Sequence, residues 1–133
     1  MYDPLRKKNI ADTPEEAVRQ SVIHWLNAEK GYSFARMSSE YSFNFNGLSY
    51  RADIVVFDNY LKPIMLVECK APSVKIDMKV IEQGLRYNRV LEVKYMLFTN
   101  GKSSYICRRK NIDSDFEFIK EVPSYKELLE GNN

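Results

Sequence analysis

The sequence has few of the residues that build disulfide frameworks and zinc sites. It contains one histidine and two cysteines, and Cys69 and Cys107 lie far apart in stretches with strand-like patterns. Such cysteines fit buried, reduced thiols better than a disulfide scaffold. One histidine and two cysteines also fall short of the usual ligand set of a structural zinc site. With 133 residues, the chain is long enough to bury one core without either device.

Long apolar runs and a strong excess of one charge are also missing. No stretch approaches the roughly 18 apolar residues that a membrane span needs, and no signal-peptide pattern opens the chain. We therefore expect a soluble, cytoplasmic protein with no membrane partner. The net charge of +2 is too small to identify a nucleic-acid-binding protein, although it does not oppose a polyanionic partner.

Helical and strand patterns alternate along the rest of the sequence. Residues 1–12 have little apolar content, so we expect a mobile N-terminal arm and then one domain over residues 13–133. Thr13, Pro14 and Glu16 are typical of a helix start, and Gly31 is typical of a helix end. Strand patterns cover residues 41–45, 48–57, 64–70, 95–99 and 104–108, and helical patterns cover residues 76–91 and 125–129.

Three glycines carry specific local predictions. Asn46-Gly47 and Asn100-Gly101 each predict the turn of a β-hairpin. Gly84 lies inside the second helical pattern, where it predicts close packing rather than a break. The predicted order is helix, three strands, helix, two strands and a short terminal helix, which indicates an α/β (α+β) class of fold.

Three charged residues, Asp53, Glu68 and Lys70, fall within two neighbouring strand patterns. If residues 59–62 form the loop of a hairpin, Asp58 faces Pro63 and Asp53 faces Glu68. Because side chains alternate along a strand, Asp53, Glu68 and Lys70 then point to one face of the sheet. A register slip of one residue would move Asp53 to the opposite face from the other two.

Two carboxylates on adjacent strands repel each other, and a divalent cation would compensate both. A few oxygen ligands, with room for water and a phosphate oxygen, are typical of magnesium, so Mg²⁺ or Mn²⁺ is the leading candidate. Arg51 would lie on the same face, opposite Lys70. The alternative is a simple ion pair between Glu68 and Lys70 at a sheet edge, although the apolar residues 64–67 favour an interior strand.

The segments that contain these residues resemble a known nuclease motif. Asp53 followed by Glu68-Cys69-Lys70 resembles the PD-(D/E)xK motif, although Arg51-Ala52-Asp53 stands where the motif has Pro-Asp. Three segments resemble the N-terminal nuclease domain of type I restriction enzyme R subunits: Thr13-Pro14-Glu15-Glu16-Ala17-Val18-Arg19-Gln20, the stretch from Pro63 to Pro72 that ends Val67-Glu68-Cys69-Lys70-Ala71-Pro72, and Thr99-Asn100-Gly101. The resemblance implies a restriction-endonuclease-like fold, with a central mixed β-sheet of four to five strands flanked by helices.

The resemblance also implies a role for each motif residue. Asp53, Glu68 and the main-chain carbonyl of Cys69 would bind the metal, and Lys70 would orient the attacking water or help to deprotonate it. The metal would lower the pKa of water and stabilise charge on the phosphate. The implied activity is a Mg²⁺-dependent endonuclease that hydrolyses phosphodiester bonds of DNA. By analogy, the expected partners are a second copy of the chain or other subunits of a restriction or repair system.

Other positions match the family pattern less directly. Glu16 corresponds to an acidic residue of the first helix that can contact the metal through water, and the alternative is a capping-box partner of Thr13. Gln83 and Tyr87 resemble a Q-x-x-x-Y pair beside the active site of some nucleases, and the alternative is a solvated Gln and a core Tyr. The candidate catalytic residues are therefore Asp53, Glu68, Lys70, Glu16 and Gln83. The candidate nucleic-acid contacts are Arg51, Arg86 and Tyr87.

Two other functions stay open at this point. A catalytically silent, nuclease-like module would bind DNA or serve in the assembly of a restriction or repair system, and the small size of the chain and the Ala52 departure favour it. A purely structural oligomeric domain would leave the charged strand residues unexplained. Metal-dependent cleavage would separate the nuclease from both alternatives.

Overall fold

The computed structural model describes residues 1–131, except for the side chains of residues 45 and 87–90. A short hairpin, β1 (Tyr2–Asp3) and β2 (Lys8–Asn9), precedes helix α1 (Pro14–Lys30) and a 3-10 turn at Phe34–Arg36. The following elements are β3 (Met37–Phe45), β4 (Leu48–Phe57), β5 (Pro63–Cys69), α2 (Met78–Leu91), β6 (Tyr95–Thr99), β7 (Ser104–Arg108), β8 (Glu117–Ile119) and α3 (Tyr125–Glu130). Within residues 1–131, no helix is both long enough and apolar enough to cross a bilayer.

The main sheet has six strands in the order β3-β4-β5-β6-β7-β8. Strands β5 and β6 run parallel and are connected through α2, and every other neighbouring pair in this sheet is antiparallel. This mixed sheet with helices confirms the α/β (α+β) class. The prediction of four to five strands is wrong, because β8 has only three residues and two of them are exposed, so no alternating apolar pattern marks it in the sequence.

The local signals for helix and turn are confirmed. The Thr13 hydroxyl accepts a hydrogen bond from the Glu16 N–H, and α1 ends at Gly31 in the left-handed conformation with φ of 75°. Asn46 and Gly47 both have positive φ, as a tight hairpin between β3 and β4 requires. Helix α2 begins two residues later than predicted, at Met78 rather than at residue 76.

The register of β4 against β5 agrees with the prediction over most of the pair. Ile54 faces Val67 and Val56 faces Met65, and one further step along the ladder places Asp53 opposite Glu68. The loop end differs, because Phe57 rather than Asp58 faces Pro63, with a bulge between Val56 and Phe57. The Asp58 carboxylate instead accepts hydrogen bonds from the backbone N–H groups of Tyr60 and Lys62 and belongs to the loop.

The sheet separates two apolar layers. On one face, α1, Tyr32 and α3 pack on Ile54, Val67 and Leu97, and the Tyr32 hydroxyl donates to the Pro123 carbonyl at 2.8 Å. On the other face, Ile81 of α2 packs with Val55, Leu66 and Phe98. Gly84 confirms the predicted point of close packing, because a Cβ there would lie 2.4 Å from Phe98 Cε1.

The first residues of the chain contact the body of the protein. Asp3 is fully buried, and the Arg6 guanidinium pairs with Asp3, Glu16 and Glu40. Arg6 therefore connects the β1–β2 hairpin to α1 and β3. The mobility of residues 1–12 and the single domain over residues 13–133 stay predictions.

Candidate active site

A cleft of about 280 Å³ brings the predicted motif residues together beside the middle of β4 and the C-terminal end of β5. Asp53 and Arg51 come from β4, Glu68 comes from β5, and Lys70 follows β5 directly. Helix α2 closes the cleft on one side, and α1 contributes one acidic residue. The further lining residues are Glu15, Ser49, Tyr50, Val80, Gln83 and Gly84.

Both carboxylate oxygens of Asp53 are held. The Cys69 N–H donates to Oδ2 at 2.7 Å, and Arg19 Nη2 donates to Oδ1 at 3.4 Å. The side chain is 14% exposed. Burial raises the pKa of Asp53, while the Cys69 N–H and the Arg19 charge act in the opposite direction. The protein therefore fixes the orientation of this carboxylate in an environment that disfavours its negative charge.

Glu68 is a second partly buried carboxylate in the same cleft. Its side chain is 18% exposed, and Lys70 Nζ lies 3.8 Å from its Oε2. Burial raises the pKa of Glu68, and the neighbouring charge of Asp53 raises it further, while Lys70 opposes the shift. The alternative ion pair between Glu68 and Lys70 therefore exists, but β5 lies between β4 and β6 rather than at a sheet edge.

The donor set of the cleft fits a hard divalent cation. Across residues 1–131, no three His, Cys, Asp or Glu side chains are placed to hold a metal ion together. Magnesium commonly binds through one or two carboxylates and keeps several waters, and Asp53 and Glu68 are two carboxylates of the cleft that could hold such an ion. Two partly buried carboxylates that repel each other would also be stabilised by such a cation.

The first helix presents a different acidic residue to the cleft than the sequence suggested. Glu15 lines the cleft, and its charge contributes to raising the pKa of Glu68. Glu16 points elsewhere, where its carboxylate contacts Arg6, Arg19 and Gln20. Consecutive residues of a helix face directions about 100° apart, so only the packing of α1 decides which of the two glutamates reaches the cleft. A catalytic role for Glu16 stays a prediction.

The remaining predicted residues are divided between the cleft and other surfaces. Gln83 and Arg51 line the cleft with Asp53 and Glu68. Arg86 is exposed and lines a separate cavity of about 530 Å³. The side chain of Tyr87 lies outside the described part of the structure, so its predicted contact with nucleic acid stays a prediction.

Sequence reasoning missed Arg19 as a neighbour of the site. It lies in the first helix, 34 residues from Asp53, and no sequence pattern pairs the two. Its side chain is 4% exposed and contacts Glu16 and Glu40 as well as Asp53. An arginine on the buried face of an amphipathic helix is the signal that could have indicated a buried ion pair.

Comparisons with known proteins place these observations in a family context. Residues 14–123 match the family model for the type I restriction enzyme R protein N terminus. The fold is similar to a fragment described as an HsdR subunit of a type I restriction enzyme from Vibrio vulnificus YJ016, with a TM-score of 0.65 and 20% identity. That similarity covers 92% of this chain and 26% of the other chain. No curated protein matches the sequence.

Proposed function

The chain belongs to the family of type I restriction enzyme R protein N termini, and on that premise we propose that it is a divalent-metal-dependent endonuclease acting on DNA. The observation that carries the proposal is the pair of partly buried carboxylates, Asp53 and Glu68, that share one cleft with Lys70. The proposal includes a restriction-endonuclease-like fold, in which α1 and α2 flank the sheet that carries these residues. Its setting would be a restriction system, with a second copy or other subunits as partners.

Three groups of this chain would hold the cation. Asp53 and Glu68 offer carboxylate oxygens, and the carbonyl of Cys69 lies on the strand segment between Glu68 and Lys70. Bound Mg²⁺ or Mn²⁺ would supply a Lewis acid that makes water a better nucleophile at neutral pH and offsets charge on the phosphate. The Cys69 N–H donates a hydrogen bond to Asp53 Oδ2 at 2.7 Å and so restricts the orientation of the carboxylate that would bind the cation.

The basic and amide groups of the cleft supply the rest of the chemistry. Lys70 is 38% exposed and lies 3.8 Å from Glu68, so its ammonium can reach both the carboxylate and a water or phosphate oxygen at the cleft mouth. Arg51 is exposed on the same cleft and would attract the phosphate backbone. Gln83 would orient a water or phosphate oxygen through its amide.

One observation favours a second candidate, a nuclease-like module that binds DNA without cutting it. Arg19 already pairs with Asp53, and Lys70 already pairs with Glu68, so each carboxylate has a cationic partner within the protein. A site with internal charge compensation can fold without a metal. This module would bind duplex DNA in EDTA and would show no cleavage after a metal is added.

The deciding experiment is cleavage of plasmid and oligonucleotide substrates in Mg²⁺, Mn²⁺ or EDTA. We expect cutting by the wild type only with metal and a loss of about a hundredfold or more in Asp53→Asn and Lys70→Ala, because positioning and electrostatic stabilisation are both lost. Asp115→Asn is the matched control, since this exposed carboxylate lies outside the cleft and should cut as wild type does. Full activity in Asp53→Asn would show that the active site is elsewhere.

A further inference from the structure

Arg19 is a buried cation that connects the candidate site to the rest of the fold. Its side chain is 4% exposed, and Nη2 lies 3.4 Å from Asp53 Oδ1. On its other side, Nη1 lies 3.4 Å from Glu40 and 3.7 Å from Glu16. The proposed function names metal ligands and a role for Lys70, but it gives no role to Arg19.

The contacts of Asp53 show what Arg19 can do. The carboxylate receives the Cys69 N–H on one oxygen and Arg19 on the other. A carboxylate that is held at one oxygen can rotate about its Cα–Cβ and Cβ–Cγ bonds, whereas anchors on both oxygens fix its plane. With both anchors in place, the remaining lone pairs of Asp53 have a defined direction in the cleft.

Two glutamates pair with Arg19 besides Asp53, so Asp53 is not the sole partner of this cation. Glu16 and Glu40 both pair with Arg19, and Arg6 pairs with both of these glutamates and with Asp3. The two arginines therefore meet three carboxylates other than Asp53. Arg19 already pairs with Glu16 and Glu40, so its contact with Asp53 orients this carboxylate and compensates its negative charge only in part.

The backbone conformation of Glu40 indicates that its ion pairs with Arg6 and Arg19 hold it in place. Its neighbours Ser39 and Tyr41 pair with Ile54 and Ala52, so Glu40 lies across from Asp53 on the adjacent strand. Glu40 has a φ of 53°, which is uncommon for a residue with a side chain and requires surrounding contacts that hold it. Its ion pairs with Arg6 and Arg19 are contacts of this kind.

We infer that Arg19 is a positioning residue for Asp53, held in place by Glu16 and Glu40. Its effect on cleavage rests on the proposed function, but its effect on the geometry of Asp53 does not. Arg19 is buried and is not among the residues that line the cleft, so it would act on the reaction only through Asp53. The Cys69 amide, which shares the Asp53 carboxylate with Arg19, reports this geometry in the protein without metal.

The first measurement is amide hydrogen exchange at Cys69 by NMR in EDTA. We expect Arg19→Gln to speed exchange at Cys69 by about tenfold, because a carboxylate that loses one anchor makes a weaker hydrogen bond with the other. Arg19→Lys should show a smaller increase. Arg109→Gln is the matched control, since Arg109 is also a buried arginine but donates to the carbonyls of Val93 and Ile112 instead. Exchange at Cys69 that is unchanged in Arg19→Gln, or equally fast in Arg109→Gln, would overturn the inference.

The second measurement separates orientation from charge. We expect Arg19→Gln to lower kcat by about 10- to 100-fold, because a small misplacement of a reacting group is costly, while the dissociation constant for Mn²⁺ changes much less. Arg19→Lys should recover part of kcat. A wild-type protein that neither binds Mn²⁺ nor cuts DNA would refute the proposed function, and the exchange at Cys69 would still decide the role of Arg19. A folded Arg19→Gln with wild-type kcat would overturn the inference.

Discussion

Replacing Gly84 by alanine tests how closely α2 is packed on the sheet beside the cleft. A Cβ at this position would lie 2.4 Å from Phe98 Cε1 and 2.8 Å from Phe98 Cζ, and real Cβ contacts essentially never fall below 3.0 Å. Phe98 is fully buried and packs in the same apolar layer as Ile81 and Leu66. The ring cannot turn into solvent, so either the ring or the helix must shift.

The expected cost follows from these distances. Forcing an extra methyl group into a packed core costs about 1–3 kcal/mol. Alanine recovers up to about 1 kcal/mol through its higher helix propensity, because Gly84 lies in the interior of α2. We therefore expect Gly84→Ala to lower the free energy of unfolding by about 1–2 kcal/mol. Because Gln83 and Val80 line the cleft from the same helix, the variant should also lower cleavage.

Urea unfolding followed by circular dichroism measures the change. Glu82→Ala is the control, since it removes an exposed side chain from the same helix and should change stability by less than about 0.5 kcal/mol. Phe98→Leu removes the obstructing ring, so Gly84→Ala should cost less in that background than in the wild type. Equal or greater stability of Gly84→Ala in the wild-type background would refute the packing argument.

Two further predictions concern charge and helix capping. Burial raises the pKa of Asp53 and Glu68 above their ordinary values of 3.8 and 4.5, so without metal the folded state binds more protons than the unfolded state. The stability that protonation provides is present below the ordinary values and is lost as pH rises through the raised ones, so the stability of Asp53→Asn/Glu68→Gln relative to the wild type should increase as the pH rises above the ordinary values. Urea unfolding in EDTA measures this relative stability, and a relative stability that is constant with pH would contradict the sign. Thr13→Ala removes the hydroxyl that accepts the Glu16 N–H and should cost about 1 kcal/mol in thermal unfolding, whereas Thr13→Ser should keep most of the stability.

Features that depend on nearby residues could be predicted from the sequence. The hydroxyl of Thr13 and the backbone freedom of Gly31 and Gly47 act within a few residues, so they mark helix ends and turns before any tertiary contact forms. The pairing of Asp53 with Glu68 across the two strands could also be predicted, because a short loop and the alternation of side chains restrict the register of adjacent strands. The local shift at Phe57 shows the limit of that argument, since a bulge is not visible in the pattern.

Features that depend on packing between distant segments were decided only by the tertiary structure. Strand β8 pairs along its backbone with β7, and backbone hydrogen bonding leaves no apolar pattern when the side chains are exposed. The orientation of α1 on the sheet places the side chain of Glu15, rather than that of Glu16, in the cleft. The contact of Arg19 with Asp53 joins residues 34 apart in the chain. Sequence patterns carry the short-range rules of helix, strand and turn, whereas the site is assembled by long-range packing that brings side chains from separate elements within contact distance.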